Sequence, residues 1–167
     1  MYKVESIKEE FVMQNIPKVT LEEVQVDRSR FLDYLLIADE SEKVVKDYIN
    51  DGEMFSIHVE NDLAGVVLFT YHAEHVMELK NIAVAQKYRG KGIGKLVINN
   101  ACQLYQGKGI KKLIVGTANS SIGNITFYQK VGFRMVEIRK DFFKSYPEPI
   151  YENGIRALDM VMFERVL

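Results

Sequence analysis

The chain has 167 residues, 47% of them hydrophobic and 27% charged, with 22 basic and 23 acidic side chains and a net charge of −1. At about 150 residues a chain buries roughly 70% of its unfolded surface, so one domain with a core and no staples is the simplest reading. The single cysteine, Cys102, excludes an intramolecular disulfide framework and a multi-thiolate zinc site, and the balanced charge excludes bulk attraction to nucleic acid or an anionic membrane.

The longest clean apolar run, LAGVVLF at 63–69, is far shorter than the roughly 20 residues of a membrane helix. Residues 1–12 have no apolar signal-peptide core. A soluble cytoplasmic protein is therefore expected. Val4, Ile7 and Phe11 have helical spacing, but the stretch is short and runs into Asn15-Ile16-Pro17. Residues 1–18 read as a loosely docked arm before a domain over 19–167. A second reading makes Met13 the natural start and 1–12 an upstream extension.

Residues 19–26 alternate as a strand does. Phe31, Leu32, Leu35 and Leu36 then recur at helical spacing, and Val44, Val45, Tyr48 and Ile49 mark a second helix behind Ser41, an N-cap residue type. Asn50-Asp51-Gly52 ends it, because these residues tolerate a left-handed backbone. Strands are expected at 54–60, 64–71 and 76–85, separated by short turns that suit antiparallel hairpins. The period then changes. Ile93, Leu96, Val97, Ala101, Leu104 and Tyr105 lie on one face of a helix over 92–106, stopped by Gly107 and Gly109. A strand over 111–116, a helix near 121–131, a strand to about Ile138 and a last strand over 156–165 follow. The order gives a mixed α/β domain, α+β in character, with a mainly antiparallel first half.

The segment NIAVAQKYRGKGIGKLV, 81–97, carries the most chemistry. A strand runs into a loop with Gly90, Gly92 and Gly94 and then into an amphipathic helix. Glycines let backbone N–H groups approach a ligand, and the helix N-terminus adds free N–H groups and a positive dipole end. Together they suit a phosphate, and Lys87, Arg89, Lys91 and Lys95 raise the local positive potential. The dinucleotide pattern fails because its third glycine position is Lys95. The nucleotide P-loop fails because Leu96 follows Lys95 and no glycine stands five after Gly90. A glycine turn with solvated lysines and no ligand is the plain alternative.

Arg89-Gly90-Lys91-Gly92-Ile93-Gly94 fits R-x-x-G-x-G after an apolar strand, and resembles the pyrophosphate loop of acetyl-CoA-dependent N-acetyltransferases. Residues 119–138 resemble a later part of the same family, a helix with a tyrosine that closes in Gly-Phe, here Tyr128 and Gly132-Phe133. The chain is identified by these segments as similar to the GNAT acetyltransferase superfamily, with matching element order over 19–165. The tail over 141–162 resembles a bacterial subgroup of small acetyltransferases with no assigned acceptor. The resemblance implies a single domain with a central mixed, mostly antiparallel sheet of about seven strands flanked by about four helices.

It also implies acetyl-CoA as cosubstrate, no metal, and an amine acceptor, either a small molecule or a peptide. In the family the amine attacks the thioester directly. The pantetheine arm would lie along Ile82, Ala83 and Val84, with a backbone N–H near Val84 as an oxyanion-type donor. Arg89, Gly90, Lys91, Gly92, Ile93, Gly94 and Lys95 would hold the phosphates. Many relatives have an asparagine where this chain has Ser121, and Asn119 and Asn124 lie close by. Any of the three could supply that polar contact.

Tyr128 is the candidate general acid for the leaving thiolate; its plain alternative is a tyrosine capping the core. Glu78 is the candidate general base, acting through water, with a raised pKa if it is buried among Val76, Met77 and Leu79. Its alternative is a solvent-facing strand residue. His72 and His75 flank Glu74 in a turn, but no third ligand is near for a metal. His58 reads as an ordinary strand residue and Cys102 as a partly buried thiol. Phe142, Phe143, Tyr146 and Tyr151 form either a packed loop or an aromatic wall over the acceptor. Asp33, Asp39, Glu40 and Glu42 could attract a cationic amine or be solvated helix faces. The apolar last strand suggests a homodimer through C-terminal elements. A non-catalytic acyl-CoA sensor on the same fold is the alternative function.

Overall fold

The computed structural model describes residues 16–167. Most of the expected arm, and the alternative start at Met13, lie outside the described residues. Strand β1 spans Val19–Glu23, and a 3-10 turn over Arg28–Phe31 leads to helices α1 (Leu32–Ala38) and α2 (Glu42–Tyr48). Three strands follow, β2 (Glu53–Val59), β3 (Asp62–Ala73) and β4 (Val76–Val84), and then α3 (Ile93–Gly107), β5 (Lys112–Ala118), α4 (Ile122–Lys130) and β6 (Arg134–Arg139). A short hairpin, β7 (Tyr151–Glu152) with β8 (Ile155–Arg156), precedes β9 (Met160–Val166). Seven strands make one sheet in the order β1-β2-β3-β4-β5-β9-β6, antiparallel except for β4 beside β5. With four α-helices among the described residues, this is the mixed, mostly antiparallel architecture that the resemblance implied. No helix among the described residues is long and apolar enough to cross a membrane.

Local chemistry explains the joints. The Ser41 hydroxyl accepts from the Val44 N–H and caps α2, as its residue type predicted. Gly52 takes φ +55°, where an added Cβ would stand 1.9 Å from the Phe69 carbonyl oxygen. Arg28 donates to the carbonyls of Val24, Ile49, Asp51 and Gly52, fastening the α1–α2 unit to the sheet edge.

The expected first strand stops at Glu23, short of residue 26, because Asp27 turns left-handed at φ +50° into the 3-10 turn. The expected last strand is also shorter. Ile155–Arg156 belongs to the separate hairpin, and the Asn119 side chain accepts the N–H groups of both Leu158 and Asp159, holding them out of the ladder.

Alternation along the strands builds a core on each face. Phe55, Ile57, Val67, Phe69, Met77 and Leu79 pack with α3 and α4, while Met54, Val66, Leu68 and Ala83 pack with α1 and α2. The Glu53 carboxylate receives the Tyr71 and Tyr105 hydroxyls and the Lys108 ammonium, at 2.7, 3.1 and 2.8 Å, and ties the end of α3 to β2. The register of β3 on β4 slips between Leu68 and Phe69, opposite Asn81 and Leu79, which leaves Lys80 as a bulge.

Gly65 sets how closely β3 can approach the end of β4, since an added Cβ would lie 2.0 Å from the Ala83 carbonyl oxygen. Gly65→Ala is expected to lower stability by about 1–3 kcal/mol, as overpacking does. A lower urea midpoint at unchanged slope would confirm it, and an unchanged midpoint would refute it.

Candidate active site

β4 pairs with β5 over three positions only, Val76, Met77 and Glu78 against Lys112, Leu113 and Ile114. β5 then follows β9 for seven pairs, out to Ala118. Residues 79–84 of β4 therefore face a widening gap along one edge. Strand backbone left unpaired in such a gap can hydrogen-bond an extended ligand as an added strand would. Ile82, Ala83 and Val84 lie on this stretch.

The gap leads to the glycine loop. Gly90 and Gly92 take φ +71° and +77°, and an added Cβ at either would meet nothing within 4 Å. Both therefore border open space. Gly92 supplies no side-chain cap to the 15-residue helix α3, and the first bond back to it is Leu96 N–H to Gly92 O. The N–H groups of Ile93, Gly94 and Lys95 thus precede the intrahelical ladder, at the positive end of the dipole. An uncapped terminus over a glycine cradle fits a pyrophosphate.

Gly94 has a second duty. An added Cβ there would lie 3.0 Å from the Phe127 ring, so this glycine lets α3 and α4 approach. Arg89 donates from Nε to the Val84 carbonyl at 2.9 Å and braces the loop against the strand end. The Lys87 and Lys91 ammonium groups lie 4.7 and 6.0 Å from the Tyr88 ring centroid.

The three polar candidates differ in what else they do. Asn119 is spent on the 156–159 segment, donating to the Arg156 carbonyl and accepting from Leu158 and Asp159. Ser121 is buried and donates to Glu152 at 2.5 Å. Asn124 is exposed on α4 and donates to the Thr117 hydroxyl at 3.3 Å, which leaves its amide oxygen accessible.

Tyr128 is 6% exposed, with its ring among Phe127, Phe133 and Phe163 at centroid distances of 5.4, 5.8 and 5.8 Å. Burial raises its phenol pKa, so it is protonated. No described residue hydrogen-bonds its hydroxyl. Glu78 lies between the two settings its position allowed. Met77 and Leu79 are buried in the α3-side core, whereas the Glu78 side chain is 23% exposed and stands 3.8 Å from the Lys80 ammonium.

On the α1–α2 face of β4 lie two residues whose roles the sequence did not suggest, Asn81 and Tyr48. Asn81 is 5% exposed. Its neighbours Glu78 and Lys80 are polar too, so the sequence does not set it apart. Phe142, Phe143 and Tyr146 stack in succession, 5.1 and 5.2 Å apart, while Tyr151 is exposed on the β7–β8 hairpin. His75 meets the Gly109 carbonyl and His58 the Ser56 hydroxyl. Among the described residues no group of three His, Cys, Asp or Glu side chains could hold a metal ion. Cys102 is buried, which raises its thiol pKa, and it lines a cavity of about 310 Å³ with Gln106 and Arg165, away from the glycine loop.

A sequence profile described as "Acetyltransferase (GNAT) family" matches residues 19–133. The chain is 36% identical over 148 residues to the uncharacterized N-acetyltransferase YvbK of Bacillus subtilis, covering 88% of this chain and 96% of that one. It is 37% identical to the solved structure of an IAA acetyltransferase from Bacillus cereus, with a TM-score of 0.80 over 90% of this chain and all of that one. It is 36% identical to a GNAT family acetyltransferase from Elizabethkingia anophelis with acetyl-CoA bound, with a TM-score of 0.81 over 92% of this chain and all of that one.

Gly92→Asp is expected to abolish acetyl-CoA binding in a folded protein, because the new carboxylate would enter the cradle and repel phosphate. Calorimetry with the variant checks it, and unchanged affinity would refute the loop assignment. Arg89→Ala should weaken binding less, with a loss that shrinks as salt is added.

Proposed function

The chain belongs to the GNAT acetyltransferase family and is an acetyl-CoA-dependent acyltransferase, and from that premise we propose that residues 19–167 act as one N-acetyltransferase domain that serves a primary amine by direct attack in a ternary complex. The observation that carries this reading is the parting of β4 from β5 directly before the uncapped terminus of α3. An extended thiol arm and a pyrophosphate are held by one continuous surface.

Acetyl-CoA supplies the activated acetyl thioester. The cradle of Gly90 and Gly92, with the N–H groups of Ile93, Gly94 and Lys95, holds the phosphates. Lys91 and Arg89 add positive potential, and Asn124 offers its amide oxygen or nitrogen to the arm. The parted edge over Ile82–Val84 orients the acyl group and offers an N–H near Val84 to its carbonyl oxygen. Tyr128 keeps its proton at the hydroxyl and delivers it to the leaving sulfur. Glu78, partly exposed beside Lys80, draws the proton from the amine through water.

A release of CoA thiol that requires an added amine supports transfer. Tight acetyl-CoA binding with no release across a broad amine panel would instead support a sensor.

Edge strand β6 carries Met135, Val136 and Ile138 at 51%, 53% and 62% exposure. We read it as the contact of a homodimer. Light scattering should give twice the chain mass at micromolar concentration, and a monomer mass would reject the contact.

Tyr128→Phe keeps the ring and removes only the hydroxyl. Because that hydroxyl has no hydrogen bond to lose among the described residues, the melting temperature should hardly move. Turnover should fall about 10²–10⁴-fold with acetyl-CoA affinity retained. Steady-state kinetics beside thermal melting checks this, and turnover within about threefold of wild type where chemistry limits the rate would remove Tyr128 from the mechanism.

A further inference from the structure

A change of face halfway along β4 has no part in the roles above. Before the bulge at Lys80, the odd-numbered residues Met77 and Leu79 pack into the core under α3 and α4. After it, the odd-numbered Asn81 and Ala83 turn to α1 and α2, while Ile82 and Val84 pack against the α3–α4 core. The extra residue exchanges the two faces for every position behind it, as a one-residue slip does.

The backbone turns with the side chains. The Ala85 N–H donates to the Ala64 carbonyl of β3 at 2.8 Å. By alternation, Ile82 and Val84 then direct their N–H and C=O groups away from β3, toward the parted edge. The Val84 carbonyl there accepts from Arg89 Nε at 2.9 Å. Without the extra residue, Ala83 would stand at the edge in place of Ile82 and Val84.

Hydrophobicity alone does not choose between these registers, because Ile82, Ala83 and Val84 are all apolar and suit a core on either face. Asn81 suits only one. Its Nδ2 donates to the Leu35 carbonyl at 3.0 Å and to the Tyr48 hydroxyl oxygen at 2.9 Å, both on the α1–α2 side. On the other face it would enter an apolar core. Polar pairing does not otherwise require this amide. The Leu35 carbonyl also accepts the Asp39 N–H, and the Tyr48 hydroxyl donates to Asp39, so both keep a partner without it. Asn81 meanwhile buries its own Oδ1 with no hydrogen-bond partner among the described residues. That cost offsets what Nδ2 gains. Fixing a register is the best-attested use of such a buried polar group.

We propose that Asn81 is a positioning residue for acetyl-CoA. Its amide holds β4 in the bulged register, and so decides that Ile82 and Val84 present their N–H groups to the pantetheine arm. This rests on the reading of the parted edge as the seat of that arm.

Calorimetry with two ligands tests it: acetyl-CoA, and 3′-phosphoadenosine 5′-diphosphate, which keeps the phosphates and lacks the arm. The proteins are wild type, Asn81→Leu and, as a control for lost stability, Glu53→Gln, which weakens the ties at the far end of α3. Wild type should bind acetyl-CoA the tighter of the two ligands. Asn81→Leu should lose about tenfold in acetyl-CoA affinity, the worth of one or two edge hydrogen bonds, and hold the armless ligand within about twofold of wild type. Glu53→Gln should melt at a lower temperature and keep both affinities. A folded Asn81→Leu that binds acetyl-CoA within about twofold of wild type, or that weakens both ligands alike, overturns the proposal and leaves the seat of the arm standing. A selective loss of acetyl-CoA in Glu53→Gln as well would make the effect one of stability and also overturn it. A wild type that binds the two ligands equally removes the seat of the arm, and this proposal with it. If Asn81→Leu does not fold, Tyr48→Phe removes one acceptor of the same amide and is read in the same way.

Discussion

β5 stays with β9 for seven pairs but with β4 for only three, so the two parallel strands part in the middle of the sheet. The bulge at Lys80 adds local twist to β4 where the two strands separate. The parted edge of β4 is unpaired backbone in the middle of a sheet, which ordinary folds avoid because buried N–H and C=O groups need partners. Here the gap is kept open by packing on both faces. α3 and α4 fill one side, α1 and α2 the other, and neither pair crosses the gap to close it.

The remaining features follow from that gap. The end of β4 delivers the chain into the glycine loop, and positive φ at Gly90 and Gly92 turns it into α3 with no side-chain cap. Arg89 braces the loop through the Val84 carbonyl. Gly94 brings α4 close through Phe127, and that contact fixes where Tyr128 stands relative to the parted strands. Arg28, bonded to four carbonyls, fixes the opposite wall. Each brace is backbone-directed, so the surface is shaped before any ligand binds, which lowers the ordering cost of binding.

Much of this could be read from residue order. The glycine spacing, the change from period two to period 3.6 after Val84 and the Gly-Phe close of α4 are local signals, and local signals survive in one sequence. The parting of the strands leaves no such mark, because it depends on β9 joining β5 from 42 or more positions away. Asn119, Ser121 and Asn124 could not be separated for the same reason. The partners of Asn119 and Ser121 in the 152–159 segment are contacts across the fold, while that of Asn124 is seven positions away on β5. Asn81 resembles an ordinary strand residue until its burial is known. The expected last strand runs too far because alternation continues through Ala157 and Asp159, while the Asn119 latch that holds 158–159 out of the ladder is invisible in the pattern.

Amide hydrogen exchange, compared without and with acetyl-CoA, tests the account of the gap most directly. Two separate stretches should gain protection together, Ile82–Val84 on the free edge of β4 and Ile93–Lys95 at the start of α3. Little should change around Cys102, Gln106 and Arg165, where another cavity lies. Protection confined to that cavity, or to the glycine loop with the β4 edge exchanging as before, would contradict a ligand laid along the parted strand.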